Sequence, residues 1–137
     1  LGIAAQSVGI ARAAFDHAHA YARQRQTFGK AIIEHQAVGF RLAEMLTKVE
    51  VARSHLHHVA RLRDAGQPCK TEAAMTKLYA SEIAEQVASE AVQVHGGYGY
   101  LKDFAVERIY RDARLCRIYE GTSDIQKMII DRALAAS

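Results

Sequence analysis

Apolar residues recur at steps of three and four positions along most of the chain. This spacing places them on one face of an α-helix, and five such stretches follow one another. The stretches run from Leu1 to about Arg25, from about Glu34 to Ala65, from Thr71 to about His95, from Asp103 to near Arg114, and from Thr122 or Ser123 towards the end of the chain. Thr71 and Asp103 carry side-chain oxygens that can cap the helices that they open. The pattern therefore predicts an all-α fold.

Short breaks separate the five predicted helices. Gly29 lies in the first break and is a candidate for a positive φ, while Gly66 and Pro68 end the second helix. No β-hairpin signal is visible in any break. Helices joined by short loops pack as an antiparallel, up-and-down bundle, here of four main helices and a shorter one. The positions expected in its core include Val8, Ala14, Phe15, Leu42, Met45, Val49, Met75, Ile83, Val87 and Val94.

Composition narrows the class of protein. The chain has 137 residues, 50% of them hydrophobic and 24% charged, as expected of one domain with a sizeable core. The net charge is only +3, and Lys and Arg are interleaved with acids, which disfavours a nucleic-acid surface. No apolar run reaches the ~18 residues of a membrane span. The chain opens at Leu1, inside an apolar helical pattern, so we expect a piece of a longer protein.

The cysteines and histidines indicate no metal site. Cys69 and Cys116 lie far apart and are expected to be reduced thiols, in a cytoplasm or a mitochondrial matrix. His55, His57 and His58 have no carboxylate or cysteine at a suitable spacing, so a solvated helix face is the simpler interpretation.

Residues 25–30 form the first segment that does little for helix formation. The segment joins Arg25 to Phe28 and the turn at Gly29, with Gln36 shortly after. A guanidinium beside an aromatic ring can clasp a phosphate and pack against a flat heteroaromatic ring. A turn between helices with Phe28 in the core explains the same residues, and the spacing alone leaves both interpretations open.

Residues 93–100 form the second segment. Three glycines in four positions, Gly96, Gly97 and Gly99, would let the backbone approach a ligand closely. The segment lacks the preceding strand and the following helix of a nucleotide-binding glycine motif. A plain loop between helices is the alternative, and it stays open.

Residues 118–123 form the third segment. Glu120 follows an apolar and aromatic stretch, precedes a glycine and stands just ahead of a helix. A carboxylate that is partly removed from water is a stronger base, so Glu120 is a candidate to accept a proton near neutral pH. The alternative is a glutamate that the helix dipole favours and that has no further role.

Together and in this order, the segments resemble the acyl-CoA dehydrogenases. The matching strings are Arg-Gln-Thr-Phe-Gly-Lys at residues 25–30, Gln-Val-His-Gly-Gly-Tyr-Gly at residues 93–99, Arg-Asp-Ala-Arg at residues 111–114 and Ile-Tyr-Glu-Gly-Thr-Ser-Asp-Ile-Gln at residues 118–126. The resemblance covers essentially the whole chain and corresponds to the family's C-terminal helical domain. It implies that residues 1–137 are one domain and that the flavin-binding N-terminal and middle domains lie outside this chain.

The resemblance implies an activity and its participants. An acyl-CoA thioester is oxidised to the trans-2-enoyl-CoA, FAD accepts the hydride, and an electron-transferring flavoprotein receives the electrons. Glu120 matches the base that removes the α-proton, and its own backbone N–H would bind the thioester carbonyl. Some relatives carry the base on the first helix and glycine at the position of Glu120, so the carboxylate here fits the other arrangement.

The resemblance also implies contacts in a homodimer or homotetramer. The residues that would touch the FAD of a neighbouring subunit are Arg25, Phe28, Gln36, Gln93, Gly96 and Gly97. Thr122 and Asp124 would contact the FAD of their own subunit, and Gly121 would line the acyl pocket. Lys70 is the remaining candidate for the phosphates of CoA.

Other activities remain open at this level. The same fold occurs in acyl-CoA oxidases and flavin monooxygenases, which differ in their reactivity with oxygen. The chain could also be a helical oligomerisation module without activity. Because it holds only part of a flavin site, we expect the isolated chain to be inactive.

Overall fold

The computed structural model describes residues 1–136 and contains five α-helices. They are α1 (Gly2–Gln24), α2 (Gln36–Asp64), α3 (Lys70–His95), α4 (Ala105–Leu115) and α5 (Ser123–Ala135). Two short strands, β1 (Gln26–Thr27) and β2 (Lys30–Ala31), and a 3₁₀ turn (Ile32–Glu34) join α1 to α2, and a second 3₁₀ turn (Gly96–Tyr100) follows α3. The predicted all-α architecture is confirmed.

Helix α3 is central, since α1, α2, α4 and α5 all pack against it. Its buried face consists largely of small residues, with Ala80, Ala84, Ala88 and Ala91 fully covered. Small side chains allow neighbouring helices to approach closely, because the distance between helix axes depends on the side chains at the contact. Larger side chains from the flanking helices fill the remaining volume, among them Val8, Phe15, Leu42, Met45 and Val49.

Most of the positions expected in the core are buried, but Met75 is not. Met75 is 40% exposed, although the three- and four-residue spacing placed it on the apolar side of α3. The buried positions of that turn are instead Ala74, Thr76 and Lys77. The burial of a lysine there matters for the site described below.

The start of α5 at Thr122 or Ser123 is confirmed, and the two predicted helix caps are wrong. The Thr122 side chain accepts a hydrogen bond from the Ile125 N–H and caps α5. Thr71, however, lies inside α3, which begins at Lys70. The N-cap of α4 is Phe104 rather than Asp103, and no side-chain hydrogen bond caps that helix. The ring of Phe104 packs against aromatic side chains of α1 and α3, so tertiary packing fixes the start of α4.

Ion pairs attach the end of α4 to α3. Arg114 Nη1 lies 3.1 Å and Arg117 Nη1 lies 2.7 Å from Oε2 of Glu85. Burial tends to raise the pKa of Glu85, but the hydrogen bonds and charges of Arg117 and Arg114 outweigh burial and hold that pKa below its usual value. The end of α4 leads into residues 116–122, so these pairs help to fix the segment that carries Glu120.

Residues 1–136 contain neither a membrane-spanning helix nor a metal-binding cluster. No helix there combines the length and the apolar character needed to cross a membrane. Among residues 1–136, no group of three or more histidine, cysteine, aspartate or glutamate side chains is placed to hold a metal ion.

Candidate functional site

The segment at residues 25–31 is a tight β-hairpin, which the sequence did not predict. Gln26 pairs with Ala31 and Thr27 with Lys30, which leaves Phe28 and Gly29 as the two turn residues. Their φ angles are 51° and 79°, so both adopt the positive φ of a type I′ turn. The positive φ of Gly29 was predicted, whereas that of Phe28 was not.

The hairpin holds Phe28 outside the core. Its side chain is 97% exposed, so the alternative of a core phenylalanine is wrong. His35 Nε2 lies 3.2 Å from Thr27 Oγ1 and 3.3 Å from Thr27 O, which fastens the hairpin to the start of α2. Gln36 is the first residue of α2 and is exposed. An exposed aromatic ring on a fixed turn is available to a ligand or to another subunit.

The glycine segment at residues 96–100 is a 3₁₀ turn, and its glycines differ from one another. Gly96 ends α3 with a φ of 60°. A Cβ atom at Gly96 or Gly97 would meet no atom within 4 Å, so their backbone faces open space. A Cβ at Gly99 would lie only 2.6 Å from Val92 O, so close packing against α3 requires glycine there.

His95 anchors the glycine turn from within. Its Nδ1 lies 2.8 Å from Ala91 O, and its ring stacks on Tyr21 at 4.2 Å between centroids. Burial lowers the pKa of His95, although the hydrogen bond to Ala91 opposes this. A neutral ring that donates from Nδ1 accounts for these contacts. The sequence did not predict a role for His95, because the spacing of apolar residues does not reveal that a polar side chain is buried.

The hairpin and the glycine turn meet at one cavity. Its volume is about 440 Å³, and Arg25, Gln93, Gly96 and Gly97 all line it. The guanidinium carbon of Arg25 lies 5.4 Å from the centre of the Tyr98 ring, which packs the arginine along the cavity wall. The structure therefore brings Arg25 together with residues 93–97, a segment that lies far from it in the sequence. Phe28 and Gln36 do not line this cavity.

Glu120 lies in a second strained turn. The φ angles of Glu120 and Gly121 are 53° and 94°. The carbonyl oxygen of Gly121 accepts hydrogen bonds from Lys77 Nζ at 2.8 Å and from Gln126 Nε2 at 3.1 Å. Lys77 belongs to α3 and is only 5% exposed. Lys77 was missed as a site residue, although it stands three and seven positions before Ala80 and Ala84 and therefore shares their buried face.

The expectation that Glu120 is partly removed from water is wrong for this chain. Its side chain is exposed in this chain, so the apolar neighbours in sequence do not remove it from water by themselves. Glu120 lines a cavity of about 350 Å³ together with Ile3, Lys70, Lys77 and Ile129. No residue among 1–136 accepts a hydrogen bond from its backbone N–H. The amide is therefore available to a ligand in the cavity.

The residues that follow Glu120 are oriented by α5. The Oγ1 atom of Thr122 accepts from Ile125 N–H at 3.3 Å, so its hydroxyl hydrogen is not used by the cap. Asp124 is exposed and pairs with Lys127 at 3.5 Å.

Tyr119, the residue before Glu120, lies with its hydroxyl 3.6 Å from Cys116 Sγ. Burial and the contact with Cys116 raise the pKa of Tyr119 to about 12, so the tyrosine is a poor acid at neutral pH.

The two cavities lie at different places along α3. Lys77 marks the Glu120 cavity, and Gln93 marks the cavity of Arg25 and the glycines. The helical rise separates these two residues of α3 by about 24 Å. A single chain therefore places the carboxylate and the arginine–glycine cavity far apart.

Fold and site together define a helical domain with two separate cavities along its central helix. Residues 1–135 match the family model described as the C-terminal domain of acyl-CoA dehydrogenase, and the chain belongs to that family. It is 50% identical over 134 residues to an acyl-CoA dehydrogenase of Bacillus subtilis, covering 98% of this chain and 35% of the relative. It is 48% identical to the CarC subunit of the caffeyl-CoA reductase–Etf complex of Acetobacterium woodii, with the same coverage.

A solved structure has the same fold. Butyryl-CoA dehydrogenase from Megasphaera elsdenii superimposes with a TM-score of 0.96 at 42% identity, covering 98% of this chain and 35% of that protein. The chain thus spans about a third of the length of the relatives that it matches.

Proposed function

We propose that the full protein oxidises an acyl-CoA thioester to the trans-2-enoyl-CoA and that Glu120 removes the α-proton. The observation that carries the proposal is the turn at Glu120 and Gly121, in the segment that resembles the family's base. The turn places Glu120 at a cavity that it lines and leaves its amide without an acceptor among residues 1–136. Residues 1–137 would form the C-terminal helical domain, and the flavin-binding domains would belong to the rest of the protein.

The Glu120 amide and carboxylate suit two parts of one proton transfer. The α-hydrogen of a thioester is a weak acid, and a donor to the carbonyl oxygen stabilises the charge that develops there. The Glu120 N–H is a free donor of this kind, while the carboxylate accepts the proton. Gly121 would line the acyl pocket beside them, and Lys70, which lines the same cavity, would contact the phosphates of CoA. The remaining domains would have to remove water from the exposed carboxylate.

The chain's own residues fit a bound FAD, which would accept the hydride from the β-carbon. Arg25 is a cationic donor in a cavity that Gln93 also lines, and Gly96 and Gly97 leave the backbone there uncovered, as suits an anionic dinucleotide. Phe28 offers an exposed ring for stacking. Since this cavity lies about 24 Å along α3 from the Glu120 turn, a neighbouring subunit's FAD is the proposed occupant. Gln36 would lie close to it.

Thr122 and Asp124 would contact the FAD of their own subunit. The hydroxyl hydrogen of Thr122 is not used by the cap, and the carboxylate of Asp124 is exposed beside Lys127, so both can reach a ligand. A homodimer or homotetramer would then assemble complete sites. The proposal makes the helical bundle both a catalytic and an oligomerisation domain.

An electron-transferring flavoprotein is the proposed redox partner. CarC is named as the subunit of a complex with such a protein, which favours a similar partner here. That relative is a reductase, so reduction of an enoyl-CoA is a second candidate function. In that direction protonated Glu120 would return the proton to the α-carbon. We place the protein in a cytoplasm or a mitochondrial matrix, where Cys69 and Cys116, both unpaired, would stay reduced.

The substitution Glu120→Gln in the full-length protein tests the proposed function. Removing the base should lower kcat by about 10²- to 10⁴-fold, while FAD content and acyl-CoA binding are retained. Asp131→Asn is the matched control, since it makes the same change in charge at an exposed position of α5. Turnover of Glu120→Gln equal to that of the control would remove Glu120 from the mechanism.

A further inference from the structure

Lys77 is a buried cation to which neither the sequence nor the family match assigns a role. It lies on α3, where 5% of its surface is exposed, among side chains of the core. Burying an ammonium group is costly unless hydrogen bonds replace water. Among residues 1–136 no carboxylate forms an ion pair with it, so charge pairing does not account for its position.

Lys77 forms a hydrogen bond with the backbone of the Glu120 turn. Its Nζ donates to the carbonyl oxygen of Gly121 at 2.8 Å, across 44 positions of sequence. The same oxygen accepts from Gln126 Nε2 at 3.1 Å. Two donors, one from α3 and one from α5, therefore hold a single peptide group.

That peptide group follows two residues with a positive φ, a backbone conformation that needs support from its surroundings. Glu120 has a φ of 53°, a region that residues with a side chain seldom occupy without support from their surroundings. Gly121 follows with a φ of 94°. The contacts of its carbonyl hold the peptide group between Gly121 and Thr122, one residue beyond Glu120, and so restrict the backbone from which the carboxylate projects.

We propose that Lys77 is a positioning residue, which orients Glu120 by clamping the Gly121 carbonyl from α3. The inference rests on the proposed function, because it assumes that Glu120 acts as the base. Lys77 touches neither substrate nor cofactor in this account. Burial lowers the pKa of Lys77, an effect that the nearby Cys116 opposes.

The test measures proton transfer in the full-length, FAD-loaded protein. The probe is a 3-thia-acyl-CoA, in which sulfur replaces the β-carbon so that no hydride can leave. Exchange of its α-hydrogens with D₂O, followed by proton NMR, reports the base alone. Lys77→Met removes the donor and keeps an apolar stem, and Lys102→Met is the control for loss of an exposed lysine.

The expected result is a roughly 10- to 100-fold slower exchange in Lys77→Met, because a small misplacement of the base is enough to cost this much. Affinity for the thioester, FAD content and the rate in Lys102→Met should stay at wild-type values. Gln126→Leu removes the second donor to the Gly121 carbonyl and should slow exchange less. If Lys77→Met does not fold, the exchange rate of Gln126→Leu tests the inference in its place. Wild-type exchange in the folded variants would overturn the inference.

Glu120→Gln in the same assay separates this inference from the proposed function. If Glu120→Gln abolishes exchange while Lys77→Met exchanges at the wild-type rate, only the role of Lys77 fails. If Glu120→Gln itself exchanges normally, the base is wrongly assigned and the role of Lys77 falls with it. A purely structural Lys77 would lower thermal stability but leave the exchange rate of folded enzyme unchanged.

Discussion

Two glycines of the turn after α3 are glycine for different reasons. Gly99 is buried, and a Cβ there would lie 2.6 Å from the backbone oxygen of Val92. Gly97 is exposed, and a Cβ there would meet nothing within 4 Å. The first is required by packing, and the second is available to a ligand. Substitution by alanine should therefore lower stability at Gly99 and weaken cofactor binding at Gly97.

Gly99→Ala should destabilise the fold by about 1–3 kcal/mol, because the backbone of α3 must shift to admit the methyl group. Gly97→Ala should leave stability near that of the wild type, but should weaken FAD retention in the full-length protein if the backbone there approaches the cofactor. Urea unfolding of the 137-residue chain and the flavin content of the full-length protein measure the two effects. Equal stability of the two variants would contradict the packing argument.

At the residue scale, the sequence was informative where backbone geometry alone sets the residue type. Gly29 was predicted at a positive φ because glycine is the residue that tolerates it most readily. Phe28 and Glu120 also adopt a positive φ, and no rule of residue preference selects them. Lys77 was not noticed because lysine is assigned to solvent by default, even at a position on the buried face.

At the scale of elements, the hairpin between α1 and α2 holds Phe28 in a strained backbone conformation with its ring exposed. A two-residue type I′ turn favours Asn-Gly, whereas this turn has Phe-Gly. The exposed side chain of Phe28 gains almost no burial to offset its positive φ. Such strain is tolerated where a residue serves a function.

Phe28→Asn should therefore separate folding from binding. Stability should stay equal to that of the wild type or rise by up to about 1 kcal/mol, since asparagine adopts a positive φ more readily than phenylalanine. The full-length variant should lose FAD more easily, because the ring is gone. Phe28→Tyr is the control that keeps both the ring and the strain. Flavin retention by Phe28→Asn equal to that of Phe28→Tyr, measured by absorbance after gel filtration, would refute a stacking role.

The same hairpin shows where prediction from sequence stopped. The long helices were found because their periodic burial is repeated over many turns, as in α2 and α3. A ladder of two residue pairs has no such repetition, so tertiary support decides whether it forms. Here the ring of His35 holds Thr27, a contact between residues eight positions apart that no propensity encodes. The starts of α3 and α4 were misplaced because packing, rather than a capping side chain, determines them.

At the scale of the whole molecule, the candidate site is divided. The three segments were singled out from sequence, yet their distribution over two cavities became visible only in the fold. Sequence spacing does not encode which loops meet at which end of a bundle. The hairpin and the glycine turn meet because both lie at the end of α3 that also carries His95, whereas Glu120 lies beside the turn of α3 that carries Lys77.

This division predicts how the chain behaves alone. In each 137-residue chain the Glu120 cavity and the Arg25 cavity are about 24 Å apart along α3, so neither encloses a flavin. Glu120 and Phe28 are both exposed, and the surfaces that would cover them lie outside the chain. The purified chain should therefore be colourless, leave the fluorescence of added FAD unchanged and have no dehydrogenase activity, whereas the full-length protein should be yellow and active. A yellow, active preparation of the 137-residue chain would mean that a helical bundle alone can build the whole site, and the division of the site between subunits would have to be abandoned.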